Sequence, residues 1–181
     1  MKEQIIFLVW TENSPGVLLR LASLFSRRKI NIESLTVSET EEIGISRFTI
    51  AICIEPVLAA TMGRQIERLI EVRRVIVSSD SWVFHREVAL MRAALAHEDE
   101  SRLQARYPNL RIIERSDSNV LLECCGTTSE IAAIVQELRA CGLLEFVRSG
   151  MVAVSLTGDY EHDLTHSLHE LRPSAHEGPS V

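Results

Sequence analysis

The residues whose types and spacing suit chemistry gather at Thr11-Glu12-Asn13-Ser14-Pro15-Gly16-Val17-Leu18 and again at Asn31-Ile32. Ser14 is a good N-cap, and Pro15 fits the first helical position, where a missing N–H costs nothing. Gly16 has no side chain at the point where the backbone turns into a helix, so a ligand can approach the main chain closely. The first amides of that helix, at Gly16, Val17 and Leu18, have no partner within the helix and sit at the positive end of its dipole, a combination that suits an anion. The side-chain oxygens of Asn13 and Asn31 are acceptors for a positively charged donor, and Val17, Leu18 and Ile32 can line a small apolar pocket. A plainer reading stands beside this one: Asn-Ser-Pro-Gly as a turn and cap, and Asn31 as a strand-entry residue.

Other chemistry-bearing residues are less pointed. The four cysteines, Cys53, Cys124, Cys125 and Cys141, lack C-x-x-C spacing, and neighbours such as Cys124 and Cys125 face opposite sides of a strand. They read as reduced, structural thiols of a cytoplasmic protein. His162, His166 and His169 share one face of a possible tail helix opposite Leu164, Leu168 and Leu171, which describes an amphipathic helix better than a metal site. Arg27-Arg28-Lys29 places positive charge at a helix C-terminus, where the dipole favours it. There is no Gly-x-Ser-x-Gly elbow, no Walker A loop and no Gly-x-Gly-x-x-Gly fingerprint, so the chain reads as non-catalytic.

The elements that must position these residues follow from periodicity. A strand at 5–10 leads into a helix whose apolar face is Val17, Leu18, Leu21, Leu24 and Phe25. A second strand is expected at 30–38. Its apolar phase slips near Glu33-Ser34, which implies a bulge or two faces with different partners. Phe48, Ile50, Ile52 and Ile54 alternate strictly in a third strand. Glu55-Pro56 opens a helix with Leu58, Met62, Ile66 and Leu69 inward, and a fourth strand at 72–78 closes the unit. This βαββαβ order is a ferredoxin-like α+β sandwich. Ile6, Leu8 and Trp10 on the second face of the first strand also want cover, which makes a dimer the economical expectation.

The same pattern repeats more weakly: strand 86–95, helix 98–107, strands 110–114 and 120–124, a helix capped by Thr128 or Ser129 with Gly142 at its C-cap, and strands 144–148 and 151–156. The expected organisation is therefore two tandem sandwiches at 1–79 and 80–157, with a short boundary at Ser79-Asp80-Ser81 and a partly disordered tail at 158–181. A chain of 181 residues has room for two such small domains. Hydrophobic content of 46% and charged content of 24% are ordinary for a globular protein. Met-Lys-Glu-Gln runs straight into a strand, so no signal peptide is expected, and no apolar run approaches the roughly 20 residues of a membrane span. A net charge of −6 argues against a duplex nucleic acid partner.

The chain resembles the regulatory, or small, subunits of acetolactate synthase, within the wider ACT family of amino-acid-binding modules. Glu12-Asn13-Ser14-Pro15-Gly16-Val17-Leu18, Leu24-Phe25-Ser26-Arg27-Arg28, Asn31-Ile32-Glu33-Ser34-Leu35-Thr36-Val37, Ser46-Arg47 and Arg148-Ser149-Gly150 carry the likeness, which runs from the N-terminus to about Leu156. It implies an effector, usually valine, held between the loop of one ACT domain and the second strand of its dimer mate, with Asn13, Gly16 and Asn31 at effector positions. A free amino acid asks for amide donors to its carboxylate, oxygen acceptors for its ammonium group and a small apolar pocket, and the residues above offer all three. The resemblance also implies a catalytic large subunit as partner, which would carry thiamine diphosphate, Mg²⁺ and FAD, none of them expected in this chain. The rival readings are a stand-alone amino-acid sensor and a small enzyme or redox protein using Cys124 or the tail histidines. One departure stands out: the family has a glycine and an aromatic where this chain has Lys29 and Ile30. If position 29 closes the helix with positive φ, lysine costs roughly 1 kcal/mol relative to glycine there, and the linker is expected to be free to take another conformation.

Overall fold

The computed structural model describes residues 1–79 and 82–156. The histidines and leucines of the expected tail helix, and Asp80-Ser81 of the expected boundary, lie outside the described residues. The described residues divide into two compact units, one within Met1–Phe84 together with residues 153–156, and the other His85–Val152. Both are ferredoxin-like α+β sandwiches.

In the first unit β1 (Glu3–Glu12) leads to α1 (Val17–Arg27), then β2 (Ser34–Glu39), β3 (Ile45–Ile54), α2 (Pro56–Ile66) and β4 (Val72–Ser79). The sheet order is β2-β3-β1-β4, all antiparallel. β1 is central because it is apolar on both faces. Ile5, Phe7 and Val9 pack with Val17, Leu21 and Phe25 of α1, with the alternating isoleucines of β3, and with Ala59, Met62 and Ile66 of α2. Burying each of the larger side chains is worth about 1.5–3 kcal/mol. Phe7 meets Phe25 edge to face, with centroids 5.9 Å apart and planes at 84°. On the other face of β1, Ile6 and Leu8 are completely buried in the single chain, so these two positions do not by themselves require a second molecule. Trp10 beside them is half-buried, with the guanidinium groups of Arg47 and Arg74 over its ring at 4.8 and 5.1 Å.

Two boundaries differ from expectation. β2 begins at Ser34 rather than at residue 30, because the chain leaves α1 through a tight turn. Lys29 N–H bonds to Ser26 O at 2.9 Å and Ile30 N–H reaches back to Phe25 O at 3.0 Å, the paired bonds of a Schellman closure. Lys29 holds the left-handed position of that turn, with φ of 55°. The lysine therefore keeps the bend that glycine makes easily. The phase slip at Glu33-Ser34 is no bulge: Ile30 and Ile32 pack on the core from the connection, and the strand proper starts after them.

After β4 come β5 (Val83–Ala93), α3 (His97–Arg106), β6 (Leu110–Arg115), β7 (Val120–Gly126), α4 (Thr128–Cys141) and β8 (Leu143–Arg148), which make up the second unit apart from the first two residues of β5, and then β9 (Val152–Ser155), only the first residue of which is assigned to that unit. Its sheet order is β6-β7-β5-β8, with β9 also pairing β5. This repeats the order of the first unit strand for strand. Ala89, Met91 and Ala93 face a core shared with Leu103, Leu122, Ile131, Ile134 and Leu138. The cap of α4 is Thr127, one residue before the expected Thr128 or Ser129. Its hydroxyl accepts from Glu130 N–H, and the Glu130 carboxylate accepts from Thr127 N–H at 2.7 Å, a complete capping box. Hydrogen bonding to the carboxylate from Thr127, its backbone N–H first and its side chain second, holds the Glu130 carboxyl below its usual range. Gly142 closes α4 with φ of 117°, as expected. Among the described residues no helix is long and apolar enough to cross a membrane.

Candidate effector site at the head of α1

The connection from β1 to α1 is anchored on both sides before it reaches the helix. Glu12 N–H bonds to Glu71 O, just before β4, at 2.8 Å, and Asn13 N–H bonds to Gly44 O, in the β2–β3 hairpin, at 2.7 Å. Ser14 N–H folds back onto Glu12 O at 2.9 Å. Ser14 is not the N-cap. That position belongs to Gly16, whose φ of 86° is the left-handed conformation that glycine adopts without strain, and no side chain caps the helix. The first helical hydrogen bond runs from Arg20 N–H to Gly16 O at 3.0 Å, so the amides of Val17, Leu18 and Leu19 lie ahead of the ladder. No acidic residue occupies the first turn. The result is a cluster of donors at the positive end of the helix dipole, with no side-chain cap and no acidic residue in its first turn.

Asn13 is exposed beside this cluster. Its side-chain nitrogen donates to the Glu39 carboxylate at 3.2 Å, which leaves Oδ1 as an acceptor. Val17 is buried in the core, but Leu18 is 47% exposed and Leu19 is 71% exposed, so the helix turns two leucines outward. Leu18 therefore does not belong to the apolar face that packs on the unit's own core.

Asn31 and Ile32 lie elsewhere. They line an open groove of about 430 Å³ with Ala22, Ser26, Lys29 and Ile30, at the C-terminal end of α1. An eleven-residue helix is about 16 Å long. Within one chain, then, Asn13 and Gly16 stand at one end of α1 and Asn31 and Ile32 at the other.

Two charged neighbours of the loop were not singled out from sequence. Arg20 reaches back toward the helix head, as helix side chains tilt toward the N-terminus. It pairs through Nη2 with the Glu71 carboxylate at 2.5 Å. Spacing of four residues from Gly16 carried that signal. Glu71, far along the chain, carried none. Arg73 pairs with Glu12 at 2.6 Å alongside.

Of the thiols, Cys53 and Cys125 are exposed and Cys141 is half-buried, and Cys124, the one singled out from sequence as a rival site, is ill suited to chemistry. Cys124 is fully buried, and burial pushes its thiol up to about 11, whereas thiol chemistry asks for an accessible thiolate.

Comparison with known proteins places this fold in a class. Residues 7–74 match the model of the AHAS small subunit-like ACT domain, and residues 86–157 match that of the small subunit of acetolactate synthase. The probable acetolactate synthase small subunit of Archaeoglobus fulgidus is 36% identical over 157 residues, covering 85% of this chain and 96% of that protein. The acetolactate synthase small subunit of Haemophilus influenzae is 33% identical, covering 83% and 94%. The crystal structure of the acetolactate synthase small subunit from Thermotoga maritima superposes with a TM-score of 0.76 at 27% identity, covering 84% of this chain and 97% of that one. The first unit is an ACT domain. The chain belongs to the acetolactate synthase small-subunit family.

Proposed function

We propose that this protein is the regulatory subunit of an acetolactate synthase, acting in the cytoplasm. It associates with a catalytic large subunit, raises its activity, and withdraws that stimulation when a branched-chain amino acid, valine first, binds its ACT domain. The chain itself performs no catalysis. Thiamine diphosphate, Mg²⁺ and FAD belong to the partner.

One observation carries the effector part of this reading. The two halves of the candidate site stand at opposite ends of α1, so a second copy is needed to bring Asn31 and Ile32 of one chain to Asn13 and Gly16 of another. The first unit offers a surface for that copy. β2 is an edge strand, and Val37 on it is 43% exposed, like Leu18 and Leu19 on α1. An exposed edge with apolar side chains is a ready template for pairing. A ligand held across such an interface touches both chains, and so can favour one packing over another by the ~1–3 kcal/mol typical of allosteric coupling.

The test has two arms. Copurification with a catalytic subunit should give a complex with higher acetolactate production, reduced again by valine. Absence of complex and of stimulation would leave a stand-alone sensor instead. In the second arm, calorimetric titration of Asn13→Ala and Gly16→Asp should show weaker valine binding with the fold retained, and unchanged affinity in both would remove the site.

A further inference from the structure

Arg20 sits where the proposed effector's carboxylate would arrive, and its two terminal nitrogens have different surroundings. Nη2 is held by Glu71 Oε1 at 2.5 Å. Nη1 lies over the bend at the helix head, 3.3 Å from where a Cβ on Gly16 would stand. It has no hydrogen-bond partner among the described residues, and the side chain remains 44% exposed. Glu71 is mostly buried, and its second oxygen has no hydrogen-bond partner. The carboxylate is thus a fixed post on one side, and the other prong of the guanidinium fork lies against Gly16, the cap residue of the helix. A planar fork with one prong anchored loses little further freedom on gripping a second carboxylate.

We infer that Arg20 is a binding residue for the effector's carboxylate, with Glu71 as the positioning residue that aims it. This rests on the effector site proposed above and adds to it. The amides of α1 supply neutral donors; Arg20 supplies the compensating charge that neither the turn nor the first helical residues contain. Gly16 then has a second role. A side chain there would be pressed against Nη1 and would displace the fork.

The test uses the full chain and the three free amino acids valine, leucine and isoleucine. Arg20→Gln should weaken the tightest of them by about tenfold or more, the range of a lost charge-assisted hydrogen bond, and Arg20→Lys by less. The Arg20 side-chain ¹⁵N resonances of the wild-type protein should move as that amino acid is titrated in, a response that a merely structural arginine would not give. Affinity within twofold of wild type in Arg20→Gln, or resonances unmoved at saturation, overturns the inference while leaving the site in place. Wild-type protein that binds none of the three amino acids overturns the site itself, and this inference with it. Should both variants fail to fold, the wild-type resonances still decide.

Discussion

The two units share one strand order and differ at the heads of corresponding helices. In the first, β1 passes to α1 through Asn13-Ser14-Pro15-Gly16, with a left-handed glycine at the cap and no acid in the first turn. In the second, β5 passes to α3 through Ala94-Leu95-Ala96, with an ordinary extended cap followed at once by Glu98, Asp99 and Glu100. The second helix carries its own anions. Glu100 is buried against Arg115 at 2.7 Å, so one of those acids is built into the structure. The same fold thus presents an open donor cluster in one copy and a neutralised one in the other. Topology sets where a helix head lies, and a few local residues decide whether it can accept a ligand.

The helix ends differ as well, and substitutions there sharpen the contrast. The largest effect should come at Gly142, where φ is 117° and an added Cβ would stand 2.7 Å from the Ala94 carbonyl oxygen. Gly142→Ala should lower stability by about 2 kcal/mol or more, read as a fall in denaturant midpoint, because left-handed strain and a backbone clash act together. Next is Thr127→Ala, which removes half of the capping box of α4 and should cost about 1 kcal/mol. Lys29→Gly should have the smallest effect and the opposite sign. Relief of left-handed strain outweighs the added freedom of the unfolded chain, for a gain of roughly 0.5–1 kcal/mol and a melting temperature higher by a few degrees. If Lys29→Gly and Gly142→Ala moved stability in the same direction, the two turns would not be equivalent.

The capping box also gives a pH dependence. Hydrogen bonding lowers the carboxyl pKa of Glu130 in the folded protein. Its contribution is therefore complete above the unfolded value, about 4.3, and is lost as pH falls through the lower folded value. Exchange protection of the amides at the start of α4 should fall selectively on acidification below about pH 4, and Glu130→Gln should remove that dependence. A protection factor there that does not change with pH would show that the box does not hold the helix head.

Much of this architecture is legible in the residues. Strict alternation in β3 and helical spacing in α2 announce the sandwich, and the Schellman lysine was visible as a departure at position 29. The start of β2 was not legible, because Ile30 and Ile32 have the same residue types whether they extend a strand or pack from a turn. Ser14 looked like a cap, since a serine before a proline satisfies the local rule. A glycine two residues later takes the position through a backbone angle that composition does not specify. Thr127 was missed in favour of Thr128 or Ser129, which are equally good caps taken singly; its spacing to Glu130 was the signal that could have found it. Of the site, the loop and Asn31 stood out as separate stretches. Their placement at opposite ends of one rigid helix, and the Arg20–Glu71 pair, depend on tertiary structure alone.

The separation of Asn13 and Asn31 has a consequence for how the protein would respond in solution. Under the proposed reading, neither chain holds a whole site, so ligand and self-association are linked by mass action. Dilution below the dimer's dissociation constant should weaken apparent affinity, and saturating amino acid should draw dissociated chains together. The set point of such a sensor would depend on how much of it the cell makes.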